Sequence, residues 1–371
     1  MSVILFIVIL LILVLVHEFG HFIVARKSGI KVEEFGFGFP PKLFSFKKGE
    51  TKYSFNALPL GGFVKILGEN PENNIPENEK HRAMINKPKR IQAAVLVAGV
   101  LFNLLLAWLL FTIGFTSGMP TSASAVSNYE LKDKTIIITG VLKDSPAEAA
   151  GIEGGDKIIS LKSSGQEIIP VSLEEVQEFV GSRGGEVVEI KVKRNGGEKE
   201  LSIIPLRGLV RAGTAEEVIP GRAAIGVGLD LIGVVKLNFF AAIWEGLKMT
   251  ATTTWQTAKA LVGLIIDSFR GQADISSLTG PVGIVGVVDS AYKFGLIYLI
   301  SFTALISINL AVINLFPFPA LDGGRLLFLL IEKIKGSPIK PVVANALNAI
   351  GFMLLIALMI FITYHDIIKL F

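Results

Sequence analysis

Four runs of apolar residues dominate the chain: Val3 to Ala25, Ile91 to Phe115, Gly295 to Phe316 and Ala344 to Tyr364. Each has the roughly 20 residues that a helix needs to cross a bilayer. A fifth stretch, Phe239 to Ile266, mixes Trp244, Trp255, Lys248 and Lys259 with apolar positions and predicts a helix lying on the membrane surface. Between the second and third runs the pattern changes to short strands and helices. "TIIITGVL" (135–142) is β-branched and strand-like. "SPAEAAGIEGGDKIISL" (145–161) opens with a Ser-Pro helix start, and Gly151 ends its short helix. "SLEEVQEFVGS" (172–182) has helical spacing, with Ser172 as N-cap and Glu175 three residues on, a capping-box pattern. "EVVEIKVKRNGGEKELSIIP" (186–205) predicts two strands joined by an Asn-Gly-Gly turn.

Between the first and second runs, "FGFGF" (35–39) alternates glycine with phenylalanine, as a strand with one apolar face would. "TKYSFNAL" (51–58) reads as its partner. Together they predict a β-hairpin or small sheet re-entering the membrane, although a cytoplasmic hairpin would show the same pattern.

Composition agrees with a membrane protein: 51% of the residues are hydrophobic, too many for an ordinary soluble chain. There are no cysteines, which excludes disulfides and thiolate metal sites. No Lys/Arg stripe with interleaved aromatics is present, so nucleic acid is not an expected partner. The first run lacks a basic leader and a small-residue cleavage site, so it reads as a retained span rather than a signal peptide. Basic residues crowd the link between spans one and two, ending in Lys80, Arg82, Lys87, Lys89 and Arg90. Arg325, Lys333, Lys335 and Lys340 mark the link between spans three and four. The positive-inside rule puts both links in the cytoplasm, and both termini and the long inserted segment outside.

Within the first span, His17-Glu18-Phe19-Gly20-His21 fits H-E-x-x-H. Residues four apart on a helix share a face, so both imidazoles reach one Zn²⁺, and Glu18 lies close enough to accept a proton from a zinc-bound water. Unpaired polar groups inside a bilayer cost a few kcal/mol each, which argues against an incidental histidine pair. A catalytic zinc takes three protein ligands and keeps one open position. Of the four histidines, His81 falls in a basic loop and His365 at the far end of the last span, neither at suitable depth. The candidate third ligand is Asp322 in "NLFPFPALDGGRLL" (314–327), where Pro317 and Pro319 break the third span. Alone, Asp322 also reads as a helix N-cap at the interface. Spans one and three both run inward, so His17, His21 and Asp322 fall at similar depth.

These motifs give the chain a resemblance to the site-2 protease family of intramembrane zinc metalloproteases, nearest to the bacterial regulator-of-sigma-E protease group. The likeness is carried in order by "HEFGH" (17–21), "FGFGFPPKLFSF" (35–46), "LPLGGFVKILGE" (58–69), "VAGVLFNLLLA" (97–107), "LTGPVGI" (278–284) and "NLFPFPALDGG" (314–324). The inserted segment resembles a circularly permuted bacterial PDZ domain, a fold that binds extended peptide at a strand edge. Some members carry two such domains and only one is evident here. The second-span motif departs from the family's Gly-Pro: Val100 follows Gly99, with Asn103 retained.

The resemblance implies His17, His21 and Asp322 as zinc ligands, Glu18 as catalytic base and Asn314 as a substrate contact. Read from the residues alone, Asn314 either hydrogen-bonds substrate or satisfies carbonyls freed by Pro317. The expected architecture is a polytopic α-helical membrane protein with four transmembrane helices, a membrane-re-entrant β-hairpin or sheet and one inserted extracytoplasmic PDZ domain of α+β type. Its segments are 1–116 (spans one and two), 127–206 (PDZ), 207–290 (linker and surface helix) and 291–371 (spans three and four). The implied partners are the lipid bilayer and single-span membrane substrates, such as an anti-sigma factor or a remnant signal peptide, in the bacterial inner membrane. The family further implies that another protease cuts the substrate first. Two other functions fit parts of the chain: a zinc transporter, and a membrane-tethered PDZ scaffold without proteolysis.

Overall fold

A computed structural model describes residues 2–69, 75–123, 125–126, 129–194, 196–209, 221–271 and 279–368. The chain forms two compact units, one from Met1–Thr116 with Asn238–Phe371 and one from Ser117–Leu237.

The first unit opens with α1 (Ser2–Lys27), which carries Arg26 and Lys27 in its last turn, where they complement the helix dipole. Strands β1 (Val32–Lys48) and β2 (Thr51–Ile66) follow, then α2 (Lys89–Ser117). The two strands shift register repeatedly between Val32 and Phe44 and fold back on themselves. Glu34 to Phe37 have partners on both sides, Lys65 to Gly62 on one and Lys52 to Phe55 on the other, while Lys42 to Lys48 reach back to Asn56 to Thr51. The hairpin is therefore a small four-segment sheet, and residues 62–66 are an edge of it, paired on one side only among the described residues. Phe22, Ile30, Val32, Phe35, Ile66, Val95 and Leu96 form a common core of α1, the sheet and α2.

The second unit contains β3 (Met119–Ser122), β4 (Lys132–Val141), α3 (Pro146–Ala149), β5 (Lys157–Ser163), β6 (Gln166–Ile168), α4 (Leu173–Gly181), β7 (Val188–Arg194), β8 (Gly197–Ile203), β9 (Leu206–Arg207), β10 (Ala223–Ala224) and β11 (Val227–Val235). The main sheet runs β3-β11-β4-β5-β7-β8, with β6 beside β5. Its strands alternate as the sequence pattern requires: Val188, Ile190 and Val192 of β7 are buried, and their neighbours are not. Ser172 caps α4 as its sequence predicts, but Glu175 reaches back one residue further than a capping box requires. Ser172 Oγ accepts from Glu175 N–H at 3.2 Å and Glu175 accepts from Val171 N–H at 2.9 Å. The unit is longer than the 127–206 expected, because β11 pairs with β4 and β3 closes the sheet beyond it. Asn195 of the expected Asn-Gly-Gly turn lies outside the described residues.

The chain returns to the first unit with α5 (Phe239–Phe269), α6 (Pro281–Phe294), α7 (Leu296–Leu315), α8 (Asp322–Lys335) and α9 (Pro341–Ile368). Among the described residues, α1, α2, α7 and α9 are the four helices long and apolar enough to cross a membrane. Helix α5 packs Gly246 where a Cβ would stand 2.7 Å from Thr112 Oγ1, and Ile243 O accepts from Trp108 Nε1 at 2.9 Å. Gly295 takes φ of 119° between α6 and α7, so the third span is a separate helix from the one before it. Of the expected linker, 210–220 and 272–278 lie outside the described residues, including Leu278 of "LTGPVGI". Helix α9 buries little: Gly351, and Asp366, which accepts from the N–H groups of Gly280 and Gly283 at 3.1 and 2.8 Å and so caps α6.

Candidate metal centre

His17 and His21 leave the same face of α1 one turn apart, both buried. Asp322 reaches them from a turn whose shape follows from its sequence. Pro317 and Pro319 have no N–H to continue α7. Ala320 then adopts φ of 76°, a conformation that residues with a Cβ seldom take. Its N–H donates to Asn348 Oδ1 of α9 at 3.1 Å. A Cβ on Gly323 would stand 2.2 Å from Leu315 O, and one on Gly351 of α9 would stand 2.5 Å from Pro319 O. Tight packing and that hydrogen bond hold the strained turn, and Asp322 sits directly after it.

His17 Nε2 lies 3.1 Å from Asp322 Oδ2. His21 Nε2 lies 3.2 Å from the same oxygen and 3.2 Å from His17 Nε2. His21 Nδ1 is 2.8 Å from Val95 O, which can only accept. Nδ1 therefore carries the ring hydrogen, and Nε2 turns a lone pair toward the carboxylate. A lone pair and a carboxylate in contact repel unless a proton or a metal ion lies between them. Four ligands at 2.0–2.1 Å around a tetrahedral zinc stand about 3.3 Å apart, so this triangle has the edge lengths of such a site. Helix α2 forms the wall behind it. A Cβ on Gly99 would lie 2.4 Å from His21 Nε2 and 2.8 Å from His17 Nε2, and a Cβ on Gly20 would lie 2.4 Å from Ala98 O. Only glycines allow the two helices to approach this closely at the level of the histidines.

Two cavities meet at the triad. One, of about 190 Å³, is lined by His17, Glu18, His21 and Asp322 together with Phe63 and Val64 of the sheet edge and Val95 of α2. The other, of about 220 Å³, is lined by His17, Glu18 and Asp322 with Leu310 and Asn314 of α7. Glu18 faces both. A larger cavity of about 630 Å³ shares Glu69, Met84 and Leu96 with the first and is bordered by the Glu69–Arg325 and Lys89–Glu332 ion pairs. A half-buried carboxylate beside such a triad, with a cavity on either side, can act as a general base.

The five site residues expected from the sequence all line these cavities: His17, Glu18, His21 and Asp322 the first, and Asn314 the second. His81 and His365 are not in the cluster. The sequence reading did not single out Val95, Gly99 as a wall, or Asn348. A glycine in a spanning helix signals close approach, and an amide in an apolar span signals a partner, so Gly99 and Asn348 left traces. Val95 acts through its backbone and left none.

The profile of Peptidase family M50 matches residues 5–358. The chain is 30% identical over 436 residues to the zinc metalloprotease RasP of Geobacillus kaustophilus (strain HTA426), covering 100% of this chain and 98% of that protein. It is 30% identical over 450 residues to the zinc metalloprotease RasP of Oceanobacillus iheyensis, covering 100% and 99%.

Proposed function

This chain belongs to peptidase family M50, the family of the site-2 proteases, and from that premise we propose that it is an intramembrane zinc endopeptidase. It hydrolyses a peptide bond within or near the spanning segment of single-span membrane proteins in the bacterial inner membrane. The observation that carries this reading is the triangle of His17 Nε2, His21 Nε2 and Asp322 Oδ2, at 3.1–3.2 Å, beside Glu18 on a helix of spanning length. Zinc held there supplies Lewis acidity, polarising the scissile carbonyl and making water acidic enough to ionise near neutral pH. Glu18 takes the proton of the attacking water and returns it to the leaving amine. Asn314 donates an amide hydrogen to the substrate backbone or to the developing oxyanion, an effect of about 3 kcal/mol in water-poor sites.

A substrate helix hides its carbonyls in its own hydrogen bonds, so it must unwind before it is cut. The outer edge of residues 62–66, with Phe63 and Val64 on the triad cavity and the Val64 N–H donated to Glu18, fits a strand-adding site for the unwound segment. The second unit is a PDZ-like domain on the outer side with both termini. It admits substrates already trimmed by another protease, which include anti-sigma factors and remnant signal peptides. Exposed Phe240, Trp244 and Trp255 suit α5 to the membrane surface. Glu18→Gln tests the proposal in the full-length protein with a single-span substrate. Cleavage is expected to fall more than about 1,000-fold with bound zinc unchanged. Undiminished cleavage would remove Glu18 from the chemistry.

A further inference from the structure

Glycine and asparagine four apart on α2, Gly99 and Asn103, point at the same part of α1. Gly99 makes room for the imidazoles; Asn103 touches one of them. Its side chain is fully buried, with Nδ2 3.4 Å from His17 Nδ1. Its backbone oxygen accepts from Ser307 Oγ at 2.8 Å, which ties α2 to α7 at this point. Its Oδ1 is buried without a hydrogen-bond partner.

The proton count resolves that orphan. If His17 binds metal through Nε2, as its distances to His21 and Asp322 require, its hydrogen sits on Nδ1. An amide NH₂ facing that N–H would set donor against donor and leave Oδ1 unsatisfied, an arrangement disfavoured in a buried site. Turning the amide by 180° exchanges the two atoms with almost no change of shape and satisfies both groups: His17 Nδ1–H donates to Asn103 Oδ1. His21 already has the equivalent partner in Val95 O at 2.8 Å. We infer that Asn103 is the positioning residue of the metal centre: it accepts the Nδ1 hydrogen of His17, fixes the tautomer and ring plane, and so sets the affinity of the site for zinc. Outer partners of this kind change metal affinity by about 10–100-fold when lost.

The inference rests on the zinc-centre reading, and the test separates the two. Zinc affinity of the full-length protein in detergent is measured by competition with a chelator of known strength. Asn103→Leu, which keeps the volume and removes the acceptor, is expected to weaken zinc binding by about 10–100-fold. Asn103→Asp, which keeps an acceptor, is expected to stay within a few-fold of the native protein. Native affinity in Asn103→Leu would overturn the inference. His17→Ala is the control for the underlying reading: if it keeps native affinity, the zinc centre itself is misassigned. Should Asn103→Leu fail to fold, nitrogen NMR of ring-labelled histidines in the native zinc-loaded protein decides. A His17 with hydrogen-bonded Nδ1–H supports the assignment, and one with zinc on Nδ1 overturns it.

Discussion

Each unit of the molecule sequesters a carboxylate, Asp156 fully and Asp322 in large part, and the two are treated in opposite ways. Asp156 of the second unit is fully buried. Arg194 grips it through Nε and Nη2, both at 2.6 Å, and Glu153 N–H adds a bond at 3.1 Å. Arg194 also donates to Gly151 O at 2.8 Å, so the ion pair ties β7 to the turn before β5. Every lone pair in use there meets a donor from the chain itself. Asp322 of the first unit instead presents Oδ2 to two imidazole nitrogens, and that of His21, whose hydrogen is on Nδ1, turns a lone pair toward it. The first cluster is complete as folded. The second sets imidazole nitrogens, and no guanidinium or ammonium group, against its carboxylate, a set of ligands that a metal ion completes. An acid met by a fixed guanidinium marks architecture, and one met by imidazoles that can ligate a metal marks a ligand site.

The sharpest way to break this contrast is to remove each carboxylate's role in turn. Asp322→Ala is expected to lower zinc affinity on the order of 1,000-fold, beyond the 10–100-fold range of outer partners, and to abolish cleavage. Hydrogen exchange across β5 and β7 should not change. Zinc retained at native affinity would mean that the third ligand lies elsewhere.

Arg194→Leu should do the reverse. Leaving Asp156 buried without its counter-charge costs about 3 kcal/mol, seen as lost hydrogen-exchange protection at Ile158 and Ile190, with zinc affinity unchanged. The same ion pair gives the unit an acid limit. Burial pushes the Asp156 carboxyl up, but the Arg194 contacts outweigh it and hold the group below the ordinary carboxylate range. A carboxyl depressed in the folded state contributes stability that is fully present above its unfolded value of about 3.9 and is lost as pH falls through the folded value. Peptic cleavage within residues 117–237 should therefore rise as pH drops below about 4. Asp156→Asn should lack that step.

The smallest effect is expected from Asn348→Ala. It removes one hydrogen bond to the Ala320 turn, worth about 1 kcal/mol, and should slow cleavage about five-fold at saturating zinc. An unchanged rate would show that packing by Gly323 and Gly351 suffices to aim Asp322.

What the sequence revealed was what local rules encode. The four spans follow from run length, the α4 cap from Ser172 and Glu175, and the shared face of His17 and His21 from helical period. What it hid depends on contacts between distant segments. The pairing of β11 with β4, Ile232 against Thr135, joins residues nearly a hundred apart, and neither strand's own pattern names its partner. The two-sided pairing of Glu34 to Phe37 turns a hairpin into a four-segment sheet by the same kind of choice. At the candidate metal centre, Glu18 and the His17, His21 and Asp322 set were readable from motifs. The wall at Gly99, the carbonyl of Val95 and the clasp at Asn348 exist only once α2 and α9 dock on their neighbours.

The two cavities that share His17, Glu18 and Asp322 bear on inhibition. A chelating warhead anchored at the triad has two directions in which to grow, toward Phe63 and Val64 or toward Leu310 and Asn314. A compound elongated along the first would lie against the edge of residues 62–66, where the proposed substrate strand would add. One elongated along the second would leave the sheet edge free and draw its selectivity from side chains of α7.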